Sequence, residues 1–205
     1  MEKLDRGARR KARTRQKLMR ATQKLLVAGS MEGMSIQDIT DEADVGLGTF
    51  YNHFKSKIEV VKAIADEYFE NYTEVLESLL TDLDDPAEVI SVSYRYTLTL
   101  ALDAQIFPIL LHLPAIYLRQ KIALRASADV DAGVQQRRFD VDNSEVLMTS
   151  ITGMLLGVME SYAQGSLSQS NAEHTAVYFL RLLGIDENEA KALVSMPMPE
   201  LPPLG

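Results

Sequence analysis

Apolar residues recur along the chain at the spacing of an α-helix. Leu18, Ala21, Leu25 and Ala28 fall at i, i+3, i+7 and i+10, which places them on one helical face. Similar spacing continues through most of the sequence, and no segment of useful length alternates between apolar and polar residues as a half-buried strand does. The pattern predicts an all-α protein of about nine to ten helices.

Capping residues mark the predicted starts of several helices. Ser35–Asp38 and Ser56–Glu59 both have the spacing of a capping box, in which a hydroxyl and a carboxylate bind free N–H groups of the first turn. Asp85 followed by Pro86 predicts another start, because proline is favoured at the first helical position. Further helices are predicted to start near 107, 115, 144, 172 and 186, the fourth of them behind a capping pattern at 170–173.

Two of these helices are short and form a predicted helix-turn-helix. They cover 36–43 and 47–54, and Gly46 permits a tight turn between them. Phe50 and Phe54 lie one turn apart and anchor the second helix, so that its other side can enter the major groove of DNA. The residues predicted to face the bases are Leu47, Gly48, Thr49 and Asn52, since Thr49 and Asn52 can reach base edges and Leu47 a thymine methyl group.

Charge separates the beginning of the chain from the rest. Residues 1–60 hold 12 Lys and Arg against 8 Asp and Glu, whereas residues 61–205 hold 9 against 21. A basic segment on an acidic protein indicates that this segment alone meets a polyanion, although a basic N-terminus by itself is equally typical of a solvated tail. The side chains and N–H groups predicted to bind DNA phosphates are those of Ser35, Tyr51, His53 and Lys57.

The stretch "SIQDITDEADVGLGTFYNHFKSKIEVVKAI" (residues 35–64) resembles the DNA-binding domain of the TetR family of bacterial transcriptional regulators. The resemblance rests on Ile36, Ile39 and Ala43, the Val45–Gly46 turn, Thr49 before Phe50–Tyr51, and then Phe54 and Lys57. It implies the same phosphate and base contacts, and it implies a larger all-helical domain that binds a ligand and forms a dimer.

The dimer interface is predicted on the last two long helices. One helix-turn-helix contacts only a few base pairs, so two copies are expected on a palindromic operator. The segment 144–164 carries two glycines four residues apart, which lets helices approach closely, although packing within one subunit explains such a pattern as well. The candidate interface residues are Met148, Gly153, Gly157, Tyr162, Phe179 and Leu183.

A small-molecule pocket is predicted between about Val60 and Arg125. This stretch is apolar nearly all round yet carries scattered polar anchors, which is the usual composition of a ligand pocket. It suggests a lipophilic effector, for which an acyl chain and an aromatic compound both fit. The candidate lining residues are Tyr68, Tyr72, Tyr94, Arg95, Asp103, His112, Tyr117 and Arg119.

These elements predict four segments: a flexible basic arm at 1–12, a helix-turn-helix domain at 13–56, a ligand-binding and dimerisation domain at 57–194, and a disordered proline-rich tail at 195–205. The chain has no cysteine, and no apolar stretch free of charged or polar interruptions reaches the ~18–20 residues of a membrane span. The N-terminal stretch also lacks the apolar core of a signal peptide, so a cytoplasmic location with no membrane contact is expected.

The expected function is that of a dimeric repressor that a ligand releases from its operator. No cofactor or metal is expected, because the three histidines stand far apart and no phosphate-binding glycine loop is present. An enzyme is therefore disfavoured. An activator, or a helical scaffold or ligand-binding module without operator-specific DNA binding, remains the alternative.

Overall fold

The computed structural model describes residues 6–29, 31–168, 170–171 and 174–200, without the side chains of 124 and 125. Within these ranges the chain forms ten helices with assigned bounds and no strand, which confirms the predicted fold class. The helices are α1 (Arg6–Ala28), α2 (Ile36–Glu42), α3 (Leu47–Tyr51), α4 (Lys57–Leu80), α5 (Pro86–Ala101), α6 (Phe107–Leu111), α7 (Ala115–Gln135), α8 (Ser144–Ala163), α9 (Thr175–Leu182) and α10 (Glu187–Ser195). The predicted start at 172 and its capping Glu173 lie outside the described residues.

Two of the predicted caps form as expected. Ser35 and Asp38 make a complete capping box at α2, and the Asp85 carboxylate accepts a hydrogen bond from the Ala87 N–H at the start of α5. The box at 56–59 is only half formed. The Glu59 N–H donates to Ser56 Oγ at 3.4 Å, but the Glu59 carboxylate accepts from the N–H of residue 55 instead of residue 56.

The first helix begins earlier than predicted. Residues 6–12, predicted as part of a flexible arm, are the first two turns of α1. Arginine, lysine and alanine dominate this stretch, and all three are good helix formers. The arm prediction was therefore wrong for these residues, while residues 1–5 lie outside the described part of the chain.

The chain divides into two compact units. The first comprises Met1–Tyr68 and Ala104–Leu113, and the second comprises Phe69–Asp103 and Pro114–Gly205. The division falls inside α4 and not between 56 and 57, because the first turns of α4 bury Val60, Val61, Ile64 and Ala65. The predicted boundary therefore does not follow the compact units, and α6 belongs with the first of them.

The core of the first unit joins the helix-turn-helix to its neighbours. Leu18 and Leu26 of α1, Ile39 of α2, Phe50 of α3 and Val60 of α4 are all at most 1% exposed. Burial of such side chains contributes about 1.5–3 kcal/mol each, so α3 is held as a rigid part of this unit.

The second unit packs around α5, which contacts α7, α9 and α10, while α8 packs on α7. Arg138 ties its parts together. The guanidinium binds the Asp85 carboxylate through two hydrogen bonds of 2.7 and 2.9 Å and Glu189 Oε1 through a third of 2.5 Å. These bonds lower the pKa of Asp85 and raise that of Arg138. Arg138 thus serves the architecture of this unit.

The segment after α10 is packed where the sequence predicted a disordered tail. Arg95 Nη1 donates to the Met196 carbonyl at 2.9 Å, and Met198 packs on a core cluster formed by Leu76, Leu79, Val92 and Tyr96. The tail prediction was therefore wrong for Ser195, the last residue of α10, and for Met196 and Met198, which contact residues about a hundred positions away. Residues 201–205 lie outside the described range.

One helix of the described residues, α8, is long and apolar enough to cross a membrane by length and composition alone. No such helix was predicted from the sequence. Its apolarity has a structural explanation, because Leu147, Ile151, Leu155 and Val158 face the core of the second unit.

Candidate functional site

Helix α3 is the second helix of the helix-turn-helix, and we call it the recognition helix because the sequence predicts that it enters the major groove. One of its faces packs on the core and the other is open to solvent. Phe50 and Phe54 are buried, whereas Leu47 and Tyr51 are 45% and 56% exposed. Exposed apolar and aromatic side chains on a short, firmly packed helix are available to a partner. Among the remaining predicted base and phosphate contacts in this region, Gly48 and Asn52 are exposed, and Thr49 and His53 are half-buried.

A cleft opens between α1 and α3 in the first unit. From α3 and the turn after it, the cleft is lined by Thr49, Asn52 and His53, three of the predicted DNA-contacting residues. The α1 residues across the cleft are Gly7, Arg10, Lys11 and Thr14.

The α1 side of this cleft was missed by the sequence analysis. Its four residues stand at i, i+3, i+4 and i+7, the spacing of a single helical face. That spacing is readable in the sequence, but Gly7, Arg10 and Lys11 fall within the segment that is predicted to be a flexible arm. The structure therefore sets two cationic side chains beside the recognition helix.

His53, on the α3 side of the cleft, is affected by cationic side chains of α1. Partial burial lowers the pKa of His53, and the charges of Lys11 and Arg15 lower it further. The imidazole is therefore neutral near pH 7 when no anion is bound. A phosphate placed in the cleft would oppose both cationic charges and raise the pKa again.

Lys57 has a structural partner that the sequence did not reveal. Its ammonium donates to the carbonyl oxygens of Met31 and Met34, at 2.8 and 2.5 Å. The side chain is half-buried and holds the loop between α1 and α2. Its predicted phosphate contact stays a prediction, and the structure gives Lys57 a positioning role as well.

Ser35 is exposed, yet its polar atoms are already engaged. Its N–H and Oγ both lie within hydrogen-bond distance of Asp38 Oδ2, at 2.8 and 2.7 Å. These bonds hold the pKa of the Asp38 carboxyl below its usual value. A carboxylate thus occupies the start of α2, which disfavours phosphate binding by the Ser35 N–H.

The predicted effector residues are divided between the two units. Tyr68 and His112 belong to the first unit, where the Tyr68 hydroxyl accepts a hydrogen bond from Gln23 Nε2 at 2.5 Å. His112 is half-buried there. The other six belong to the second unit: Tyr72, Tyr94, Arg95, Asp103, Tyr117 and Arg119.

Within the second unit these six residues do not share one lining. Tyr94 is buried, its hydroxyl bonds to Thr175 Oγ1 at 2.8 Å, and its ring packs edge-on against Phe179. Arg95 points to the carbonyl of Met196. Asp103 and Arg119 are exposed, and the ring of the half-buried Tyr117 carries the ammonium of Lys121 on one face.

Tyr72 contacts a second hydroxyl group and a second tyrosine ring. Its hydroxyl and Thr97 Oγ1 are 2.6 Å apart, and its ring stacks on that of Tyr96 with centroids 5.4 Å apart and planes 6° from parallel. Ser93, one helical turn before Tyr96, was not predicted as a lining residue, because a serine on an apolar helix is typical of ordinary core packing.

Three predicted dimer contacts lie in the core of the second unit. Met148, Phe179 and Leu183 are at most 8% exposed, so they were wrongly placed at a surface. The apolar residues of α9 and its C-cap Leu183 fall on two faces. Phe179 and Leu183 face inward, whereas Tyr178 and Leu182 are 59% and 47% exposed.

Gly153 and Gly157, the two glycines predicted at the dimer interface, are not buried in the core. A side chain added at Gly153 or Gly157 would meet no atom within 4 Å, so both lie beside open space. Val146 lies seven residues before Gly153, on the same side of α8, and is 61% exposed, while Tyr162 is half-buried. Val146 on α8 and Tyr178 and Leu182 on α9 thus expose apolar side chains on both helices.

Two family models match the chain. The model described as bacterial regulatory proteins, tetR family, covers residues 18–64, and the model described as tetracyclin repressor-like, C-terminal domain, covers residues 85–196. The first contains the helix-turn-helix and the second contains α5 to α10.

Curated relatives match less than half of the chain. The HTH-type transcriptional repressor DhaR of Mycobacterium sp. (strain GP1) is 32% identical over 91 residues, which is 44% of this chain and 46% of DhaR. An uncharacterized HTH-type transcriptional regulator of Lactococcus lactis subsp. lactis is 34% identical over 74 residues, 36% of this chain and 38% of that protein. The chain thus spans about half the length, or less, of these relatives.

Solved structures match nearly the whole chain. RolR in complex with its ligand resorcinol is 29% identical, with a TM-score of 0.78 over 94% of this chain and 98% of RolR. RolR without ligand is 28% identical, with a TM-score of 0.77 over 91% and 99% of the two chains.

Proposed function

Since the chain belongs to the TetR family of bacterial regulatory proteins, we propose that it is a dimeric transcriptional repressor that a small aromatic ligand releases from duplex DNA. The observation that carries the proposal is the exposed face of α3 beside the basic face of α1. A regulator of this kind acts on DNA in the cytoplasm.

DNA binding follows from shape and charge together. The small N-terminal residues of α3 allow its backbone to approach the floor of the major groove, and Asn52 at its end can bond a base edge. Arg10 and Lys11 stand across the cleft, where they can neutralise the phosphates that border the groove. Base reading is therefore assigned to the α3 wall of the cleft, and the two cationic phosphate contacts are assigned to the α1 wall.

Dimerisation follows from the uncovered surface of α8 and α9. Val146, Tyr178 and Leu182 expose apolar area in a part of the chain where the glycines of α8 leave room for a close neighbour. A second copy of the same surface would cover it, and two recognition helices would then bind a palindromic site.

The ligand is assigned to the second unit and to the class of small phenols. RolR, which matches nearly the full length of this chain, is solved with resorcinol. The second unit here offers an apolar interior that contains aromatic rings and the hydroxyls of Tyr72 and Thr97. A lipophilic ring with one or two hydroxyl groups fits that chemistry better than a long acyl chain does, because the methylene groups of the chain form no hydrogen bonds with hydroxyl groups.

The first experiment is selection of binding sites from random duplex DNA, followed by titration of the selected site at two salt concentrations. We expect a palindrome and an affinity that falls steeply with salt. The same complex is then titrated with resorcinol, phenol and toluene, and release is followed by fluorescence anisotropy. If no sequence is enriched, the protein is a helical ligand-binding module and the proposed DNA function is wrong.

Two pairs of variants test the walls of the cleft. Arg10→Ala with Lys11→Ala should flatten the slope of log affinity against log salt by about two units, because each phosphate contact contributes about 0.9. Arg9→Ala with Arg13→Ala removes the same charge from outside the cleft lining and is the matched control. Equal slopes in both double variants would refute the assignment of Arg10 and Lys11.

Asn52 is tested by base preference. Asn52→Ala should relax the preference at one base position, worth about 1–3 kcal/mol of discrimination, and leave the other positions unchanged. An equal loss of affinity on every sequence would show that Asn52 reads no base.

A further inference from the structure

Two hydroxyl groups of α5 are buried without a hydrogen-bond partner among the described residues. They are Tyr96 Oη and Ser93 Oγ. Tyr96 is only 1% exposed, so water does not compensate its hydroxyl at the surface. Buried hydroxyls are nearly always paired, because an unpaired one costs free energy on folding. Such a pair of atoms indicates a missing partner.

The two residues lie on one face of α5, a single turn apart. On the same side the Thr97 Oγ1–H donates to the Ser93 carbonyl at 2.7 Å, so Thr97 Oγ1 accepts the hydrogen bond from the Tyr72 hydroxyl. Tyr72 and Thr97 are thus bonded to each other, whereas Ser93 Oγ and Tyr96 Oη can each still donate and accept. Burial raises the pKa of Tyr96, so its phenol keeps its proton.

The surroundings of these hydroxyls are apolar and aromatic. The Tyr96 ring lies parallel to that of Tyr72 and packs with Leu76, Leu79 and Val92. Met198, from the segment after α10, packs on the same cluster. The hydrogen bond from Arg95 to the Met196 carbonyl holds this segment in place, and we call residues 196–198 the C-terminal strap.

We propose that Ser93 Oγ and Tyr96 Oη are the hydrogen-bonding contacts of the effector, a small phenol, and that the C-terminal strap covers the bound ring. The assignment rests on the proposed ligand response and names its chemistry. A phenolic hydroxyl can donate to one of these oxygens and accept from the other. The flat ring is matched by the neighbouring tyrosine rings and by the flexible side chain of Met198.

The test compares two conservative variants on the same helix. Tyr96→Phe removes the unpaired hydroxyl, and Tyr94→Phe removes a hydroxyl that is also buried but bonded to Thr175. The full-length proteins are titrated with the three aromatic probes by calorimetry, and thermal unfolding is measured in parallel.

We expect Tyr96→Phe to weaken resorcinol and phenol binding about 3- to 10-fold, the worth of one hydrogen bond. It should leave the melting temperature unchanged or raise it, because no bond is lost in the free protein. Tyr94→Phe should lower the melting temperature and keep the affinity within about twofold of the parent. Ser93→Ala should behave like Tyr96→Phe.

Three results would overturn the assignment: equal phenol affinity in the parent and Tyr96→Phe, toluene binding as tight as resorcinol binding, or no binding of any probe at millimolar concentration. The proposed DNA function is judged separately, from operator affinity without ligand. If the protein without ligand binds no operator, the proposed repressor function is wrong, whereas the assignment of the phenol contacts is unaffected.

Discussion

The contact between the Lys57 ammonium and the loop at 31–34 is expected to stabilise the first unit, and Lys57→Met removes it while keeping most of the aliphatic side chain. A hydrogen bond from a charged donor contributes about 1.5–3 kcal/mol to stability. Here one half-buried ammonium serves two carbonyls, at 2.8 and 2.5 Å. We therefore expect a loss of about 2 kcal/mol, or roughly 30-fold in the ratio of folded to unfolded protein.

The assay is urea unfolding of the full-length protein followed by circular dichroism. Lys55→Met is the matched control, because Lys55 lies two residues away and is exposed. Its stability should stay within about 0.5 kcal/mol of the parent. A Lys57→Met protein as stable as the control would refute the positioning role.

Operator binding separates this role from a phosphate contact. If the ammonium binds a phosphate, Lys57→Met flattens the salt slope by about one unit. If it only holds the loop, affinity falls equally at all salt concentrations and the slope is unchanged. A flatter slope together with unchanged stability would show that the sequence-based prediction was right and that the contact with the loop does not matter.

Three further predictions concern charge and packing. Operator affinity should rise as the pH falls from about 8 to 6, because phosphates raise the lowered pKa of His53, and His53→Gln should abolish this dependence in anisotropy titrations. Arg138→Gln should destabilise the protein by about 1–2 kcal/mol near neutral pH. Since the pKa of folded Asp85 is lowered, the stability that its ionised form contributes is lost as the pH falls, and the difference from the parent should shrink below about pH 4 in urea unfolding. Gly133→Ala would place a Cβ 2.1 Å from the Phe139 ring and should lower stability by about 1–3 kcal/mol, measured by thermal unfolding.

Features that depend on neighbouring residues were predictable from the sequence. The cap at Ser35, the proline start at Asp85 and the paired Phe50 and Phe54 each involve residues within one helical turn. Because these interactions join residues that are close in sequence, the sequence pattern alone predicts α2, the start of α5 and the buried side of α3.

Features that depend on distant residues were not predictable in this way. Lys57 donates to the carbonyl oxygens of residues 23 and 26 positions earlier in the chain, and Arg95 donates to the Met196 carbonyl at a separation of 101 residues. The two faces of α9 are a similar case. Tyr178 and Phe179 are both aromatic and adjacent in sequence, and only the packing of the second unit determines that Phe179 is the buried one.

The C-terminal strap also has a kinetic consequence. The Arg95 guanidinium donates to its Met196 carbonyl, and its Met198 packs on the core cluster formed by residues of α4 and α5. A non-helical segment near a chain end opens at a lower free energy than the unit around it. The residence time of any molecule beneath it is then set by the opening rate of residues 196–198, so backbone amide exchange there would report how quickly an occupied site can empty.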